Sequence, residues 1–298
     1  MSSPPEPCTG PQCPGGCTNQ DCPSTWYPYT TQEYTAMFLS YYKFLTTLYY
    51  SPSDLKIPPP QGWPNLTREA GMPRYYKTDF AVEVMRHLPY LGGNHHYEYK
   101  SIMIDYSTLN PRTSMWFQPN GLGNYPKDDW WEHAWPYDLP AGQKPPRGDS
   151  LIPLTVGWES GGIVLILDVQ RGKIIEEELR CDNKMYDAQE YFDMMACKFR
   201  NLERVPCDGR ILGEFGEMKE RQEPVTEEEF LGQDPNEGWG TDLDKAYIKQ
   251  LYREHGWPDN FLREECFWVV NDLMEMVMET RDDEWEAWDE NDFVRARR

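Results

Sequence analysis

The chain has 298 residues, 39% of them hydrophobic and 14% aromatic, and a formal net charge of −21. That length allows one large domain or two ordinary ones, and the aromatic share lets few side chains bury a sizeable core. Such acidity repels phosphate backbones and anionic bilayers, so it weighs against nucleic-acid partners and membrane docking; it suits a basic protein partner, or solubility alone.

Residues 1–25 are Pro, Ser, Gly and Cys with almost no apolar content, and are expected to form a disordered tail. MSSPPEPC has neither a basic stretch nor an apolar one, so no secretory signal is expected. The longest aliphatic run, Ile163 to Leu167, is far short of the ~18 residues a membrane span needs. Cytosol or nucleus is the expected location, with reduced cysteines. There, the sequon at Asn65 and the RGD at Arg147 to Asp149 carry no meaning.

Order is expected from Thr30. Thr30 with Glu33 makes a capping box, and Tyr34, Met37, Phe38, Tyr41, Leu45 and Leu48 recur at helical spacing. That helix stops before Ser51-Pro52. A Pro-rich connection leads to a second helix from Thr78 to about Leu88, with Phe80, Val84 and His87 on one face and Pro89 ending it. Lys100 to Tyr106 reads as a strand. Asn110 to Asp149 lacks periodicity, is rich in Pro and Gly, and carries Trp116, Phe117, Trp130, Trp131 and Trp135. Aperiodic segments this long are usually functional or disordered, and tryptophans gain by packing.

Leu151 to Trp158, Ile163 to Asp168 and Lys173 to Glu178 read as a three-strand meander turning at ESGG and QRG. Weak alternation in the first two implies burial on both faces. A helix follows from about Asp187 to Leu202, its apolar face formed by Ala188, Tyr191, Phe192, Met195, Phe199 and Leu202. Ile211 to Gly240 reads as an acidic loop or a short extended piece. Thr241, with Asp244, caps a helix that buries Leu243, Tyr247, Leu251 and Tyr252 and closes at Gly256. A last helix runs from about Phe261 to Thr280, and an acidic stretch with two tryptophans follows. From Ile211 to Arg298 there are 25 acidic and 10 basic residues, an excess of 15 negative charges.

Catalytic patterns fail one by one. A nucleophile elbow around Ser160 needs glycines two residues away on both sides; Gly162 is there, but Trp158 stands at the earlier position. Gly161-Gly162 suits a hairpin corner instead. No phosphate-binding glycine loop is present. His95, His96 and His133 with Glu132 offer zinc-type ligands, yet H-E-x-x-H is missing and adjacent histidines in a strand face opposite ways. Cys8, Cys13, Cys17 and Cys22 lack the two-residue gaps of zinc knuckles, although a zinc or disulfide cluster stays open there. Cys181, Cys197, Cys207 and Cys266 read as small apolar residues. Asp128, Asp129 and Glu132 lie among Trp130, Trp131 and Trp135, a composition that suits a protein hot spot with a charged rim or a sugar site.

IPLTVGWESGGIVLILDVQRGKII (Ile152 to Ile175) is similar to the core of the SUKH superfamily, which includes fungal cell-wall assembly regulators. The likeness rests on Ile152, Pro153 and Leu154, then Gly161 and Gly162, then Leu165 to Asp168, then Gly172 and Ile174. Tyr191 to Phe199 resembles the aromatic-faced helix that follows in that family. VEVMRHLPYL (Val82 to Leu91) and LYREHGWPDNFLREEC (Leu251 to Cys266) resemble segments of filamentous-fungal proteins carrying such a domain. The core resemblance spans roughly residues 75 to 205.

The resemblance implies an α+β fold, with a mixed or antiparallel sheet flanked by helices, and binding rather than catalysis. Bacterial members neutralise toxins; fungal members are implicated in cell-wall synthesis and signalling. The family pattern has no catalytic residues to carry over. The tryptophan segment and the acidic final helices depart from it. The expected layout is one domain over residues 26–298 after the tail. The leading expectation is a non-catalytic protein-interaction module without a cofactor, contacting a protein through Trp130, Trp131 and Trp135; the acidity is compatible with a basic partner. A metal-dependent enzyme or accessory protein of a biosynthetic pathway, using His95, His96 or His133, and a glycan-binding protein are the alternatives.

Overall fold

The computed structural model describes residues 27–48, 50–67, 77–92, 96–98, 101–108, 148–157, 162–178, 183–207, 210–213, 221, 223–237 and 240–281. It is an α+β protein in which every described strand pair is antiparallel.

Helix α1 (Thr31–Thr47) opens on the expected capping box: Thr30 accepts from the Glu33 N–H, and Glu33 accepts from the Thr30 N–H at 2.7 Å. Its buried face is Tyr34, Met37, Phe38, Tyr41, Tyr42 and Leu45. Strand β1 (Leu55–Lys56) pairs with β2 (Tyr90–Leu91), on either side of α2 (Asp79–His87). Helix α2 lies where expected, with Thr78 as its cap; Val84 is buried as expected, together with Ala81, Val82 and Met85. Phe80 and His87 are only partly buried. Phe80 stacks on Tyr27 at 3.9 Å, and the His87 ring turns to the Glu83 carbonyl.

Strand β3 (His96–Glu98) pairs with β4 (Ser101–Met103). The expected strand from Lys100 to Tyr106 is thus shorter, because Asp105 turns the chain through bonds from the Ser107 N–H and hydroxyl.

The stretch from Leu151 also departs from expectation. It forms two strands, β5 (Leu151–Pro153) and β6 (Thr155–Gly157), in different sheets. Strand β5 pairs with β7 (Ile163–Asp168), which continues to β8 (Lys173–Glu178) and β9 (Lys184–Asp187), in the order β5-β7-β8-β9. Strand β6 swings out to pair with β4. The expected three-strand meander is therefore four strands wide, and β6 has left it.

Thr155 holds this branch together. Its buried hydroxyl donates to the Ile163 carbonyl at 3.1 Å and accepts from the Leu165 N–H at 2.8 Å, standing in for the missing backbone ladder. Ser101 donates to the same Ile163 carbonyl at 2.6 Å. Thr155→Val keeps the shape and removes the hydroxyl, leaving the Leu165 N–H without its acceptor. Urea unfolding should show a loss of about 1–2 kcal/mol; an unchanged midpoint would mean that the sheets hold without the stitch.

The QRG turn between β7 and β8 forms as expected. Asp168, fully buried, accepts from the N–H groups of Gln170 and Arg171, and Gly172 takes φ +67°. Within the other expected corner, residues 158–161 lie outside the described residues. Its flanks are close: a Cβ on Gly157 would stand 2.9 Å from the Ile163 backbone.

Helix α3 (Ala188–Arg200) matches expectation, with Asp187 as cap and the named apolar face buried. Cys207 and Cys266 are buried, but Cys197 is exposed, so it is not the core residue expected. Strands β10 (Arg204–Cys207) and β11 (Arg210–Gly213) make a further pair, so the stretch from Ile211 begins with a short extended piece, and α4 (Glu227–Leu231), capped by Thr226, interrupts its remainder. Helix α5 (Asp242–Glu254) carries the Thr241–Asp244 capping box and closes at Gly256, with Leu243 only partly buried. Helix α6 (Arg263–Thr280) buries Cys266, Val270, Leu273, Met274 and Val277. The buried apolar side chains from Tyr34 to Val277 form one connected core. Among the described residues, no helix is long and apolar enough to cross a membrane.

Candidate functional site

Two of the buried charges, Asp105 and Lys77, sit where the chain leaves and rejoins the described residues around 109–147. Asp105 is 6% exposed. Its carboxylate accepts from Lys56 Nζ at 2.6 Å, the Ser107 N–H at 2.9 Å, the Ser107 hydroxyl at 2.5 Å and the Thr108 hydroxyl at 3.2 Å. Next to it, Asn65 Nδ2 donates to the Tyr106 carbonyl at 2.9 Å. This cluster fixes the chain just before residue 109 and also ties down residue 65.

A second cluster fixes the return. Lys77, 7% exposed, donates through Nζ to the Gly148 carbonyl at 3.0 Å and to the Leu151 carbonyl. The Thr78 N–H donates to the Asp149 carbonyl at 2.8 Å. Burial pushes the Lys77 ammonium down to about 8, against the pull of the nearby Asp149 carboxylate. Burying an ion costs several kcal/mol unless it is well paired. Lys77 bears part of that cost at one base of the tryptophan-bearing segment, and at the other base Asp105 offsets it with four bonds. The same clusters hold Asn65 and Lys77, which flank residues 68–76.

A groove of about 440 Å³ lies elsewhere, between α1 and α3. The two helices run in the same direction. Tyr29 donates to Asp187 at 2.6 Å at their starts, and Phe44 meets Phe199 at 6.5 Å near their ends. Met37, Tyr41, Phe44 and Phe192 line it, with Glu33, Asp193 and Arg200 at its polar positions. Arg200 lies over the Phe44 ring at 4.7 Å. Burial and the bond to Asp187 push Tyr29 up to about 12. Burial alone would raise Asp187, but the Tyr29 hydroxyl, Lys173 and backbone N–H groups outweigh it and hold the carboxyl low. The Glu33 carboxylate is committed to the α1 cap. The groove offers contact area and fixed charges.

Asp128, Asp129, Trp130, Trp131, Glu132, His133 and Trp135 lie outside the described residues, as do His95, Ser160, Cys181 and the cysteines at 8, 13, 17 and 22. His96 is placed as backbone in β3. No group of three or more His, Cys, Asp or Glu side chains able to hold a metal occurs among the described residues. Sequence reasoning missed the anchoring residues Lys56, Lys77 and Asp105. Asp105 did leave a signal: Asp-Tyr-Ser-Thr directly after an apolar strand suits a side-chain-capped turn. Comparison of the chain with known families, characterised proteins and solved structures gives no match.

Proposed function

We propose that this protein is a non-catalytic, SUKH-like protein-interaction module that contacts its partner through Trp130, Trp131 and Trp135. In this reading Asp128, Asp129 and Glu132 form a charged rim, and the net charge of −21 favours a basic partner. The observation that carries the reading is the double anchorage at Asp105 and Lys77. Buried ions spent on both bases of one segment make sense when the segment must be presented in a fixed place. Binding surfaces are commonly loops held by a rigid scaffold, and tryptophans are the side chains most enriched at interface hot spots.

The test is a triple variant, Trp130→Ala, Trp131→Ala and Trp135→Ala. It should melt at the parent's temperature yet lose the protein that the immobilised parent retains from a lysate. A basic partner should also wash off in about 0.5 M salt, where exposed charges are screened. Retention of the same partner by the folded triple variant would sink the reading.

A further inference from the structure

Among the described residues, none covers the middle of the outer face of α6. Trp268 stands 74% exposed in its middle. Glu265, Asp272 and Glu275 are exposed on the same side, at the helical spacing that puts them in one ridge with Trp268. Among the described residues none of these three carboxylates has a cation in ion-pair range; Glu264 differs, being paired with Arg263 at 2.5 Å. A Trp ringed by unpaired carboxylates calls for an occupant that brings apolar area and several N–H donors of positive charge.

The chain carries such a segment close by. Residues 293–298 read Phe-Val-Arg-Ala-Arg-Arg, and hold every basic residue that follows Arg281. The reach is sufficient. Glu275 lies about 9 Å and Glu265 about 24 Å back along α6 from Arg281, at ~1.5 Å per residue. The extended chain from Arg281 to Phe293 spans up to about 40 Å. Tethering also gives the segment an effective concentration on the order of millimolar, which a free partner must exceed.

We propose that residues 293–298 dock on the outer face of α6 of their own chain, with Phe293 against Trp268 and the arginines over Glu265, Asp272 and Glu275. This contact neutralises part of the acidic surface and covers the exposed tryptophan. It is independent of the proposed partner surface at residues 128–135.

The experiment uses full-length chains and a labelled synthetic peptide of residues 289–298. In the variant Arg295→Ala, Arg297→Ala, Arg298→Ala, the chain's own segment cannot compete. The peptide should bind this variant, and bind the parent at least ~10-fold more weakly because the tethered copy occupies the face. Binding to the variant should fall ~10-fold or more when Trp268→Ser or the trio Glu265→Gln, Asp272→Asn, Glu275→Gln is added, and should weaken steeply with salt. Equal binding to parent and variant, no binding to either, or binding indifferent to the α6 changes overturns the proposal. So does a parent that sediments as a dimer while the arginine variant is a monomer, since the occupant would then be a second copy.

Discussion

Arg281→Ala will lower the unfolding free energy by about 3–5 kcal/mol, the range measured when one partner of a buried ion pair is removed. Arg281 is 7% exposed and Asp244 fully buried. The guanidinium meets the carboxylate with two bonds, at 2.7 and 3.0 Å, and sends a third to the Glu237 carbonyl at 3.0 Å. Asp244 also accepts from Gln233 at 2.8 Å and from the N–H groups of Gly240 and Thr241. The pair therefore ties the end of α6 to the start of α5 and to the loop between α4 and α5. Without Arg281 the carboxylate stays buried with only neutral donors. The surface pair Arg221–Glu229, about 40% exposed on both sides, sets the contrast: breaking it should cost under ~1 kcal/mol. A double variant, Arg281→Met with Asp244→Asn, should recover part of the loss, because neither group is then left charged and alone. Urea unfolding of the variants decides the matter. A loss below ~1 kcal/mol for Arg281→Ala would show that the pair is solvated and replaceable.

The Thr241–Asp244 box was legible in the sequence, and so was its counterpart at Thr30 and Glu33. Both depend on residues three apart, and local signals of that kind survive folding. The apolar face of α3 was legible for the same reason, since its 3.6-residue period is printed in the sequence. The break between β5 and β6 was not. It depends on the Thr155 hydroxyl finding Ile163 and Leu165 across a turn, a contact that no period announces. The β10–β11 pair carried a signal that went unused. Asp208-Gly209 between two apolar runs marks a hairpin; the short extended piece expected from Ile211 is β11, while its partner β10 was not expected. Helix α4 is only five residues long, too short for periodicity to show.

The anchors at the two bases of the tryptophan-bearing segment were not legible in the sequence. A tryptophan-bearing, aperiodic segment stands out by composition. What holds it does not. Lys77 reaches Gly148 and Leu151, and Lys56 reaches Asp105, contacts between residues far apart in sequence. A lysine read in sequence looks like a solvated charge. Only the return of the chain to the start of α2 shows that Lys77 is buried.

That burial gives the second large effect. The stability of the parent relative to Lys77→Met will rise by about 2 kcal/mol between pH 7.5 and pH 10, from 1.36 kcal/mol per unit of pKa difference. In the folded chain burial pushes Lys77 down to about 8; in the unfolded chain a lysine titrates near ~10.4. Between those values the unfolded chain still binds a proton that the folded chain has released, so raising the pH favours the folded state. Below about 8 both states are protonated, and the parent bears the full cost of a buried ammonium. Other groups pull the opposite way in the same range. Cys266, pushed up to about 12 by burial, keeps its proton when folded while an unfolded thiol loses it above ~8.5, and Tyr29, also raised to about 12, does the same above ~10. Both are present in parent and variant, so they cancel in the difference, which is why the methionine variant is the reference. Urea unfolding of the two chains at closely spaced pH values measures it. Parallel curves from pH 7.5 to 10 would mean that Lys77 keeps its proton throughout, and that its bonds to Gly148 and Leu151 are those of a permanent cation.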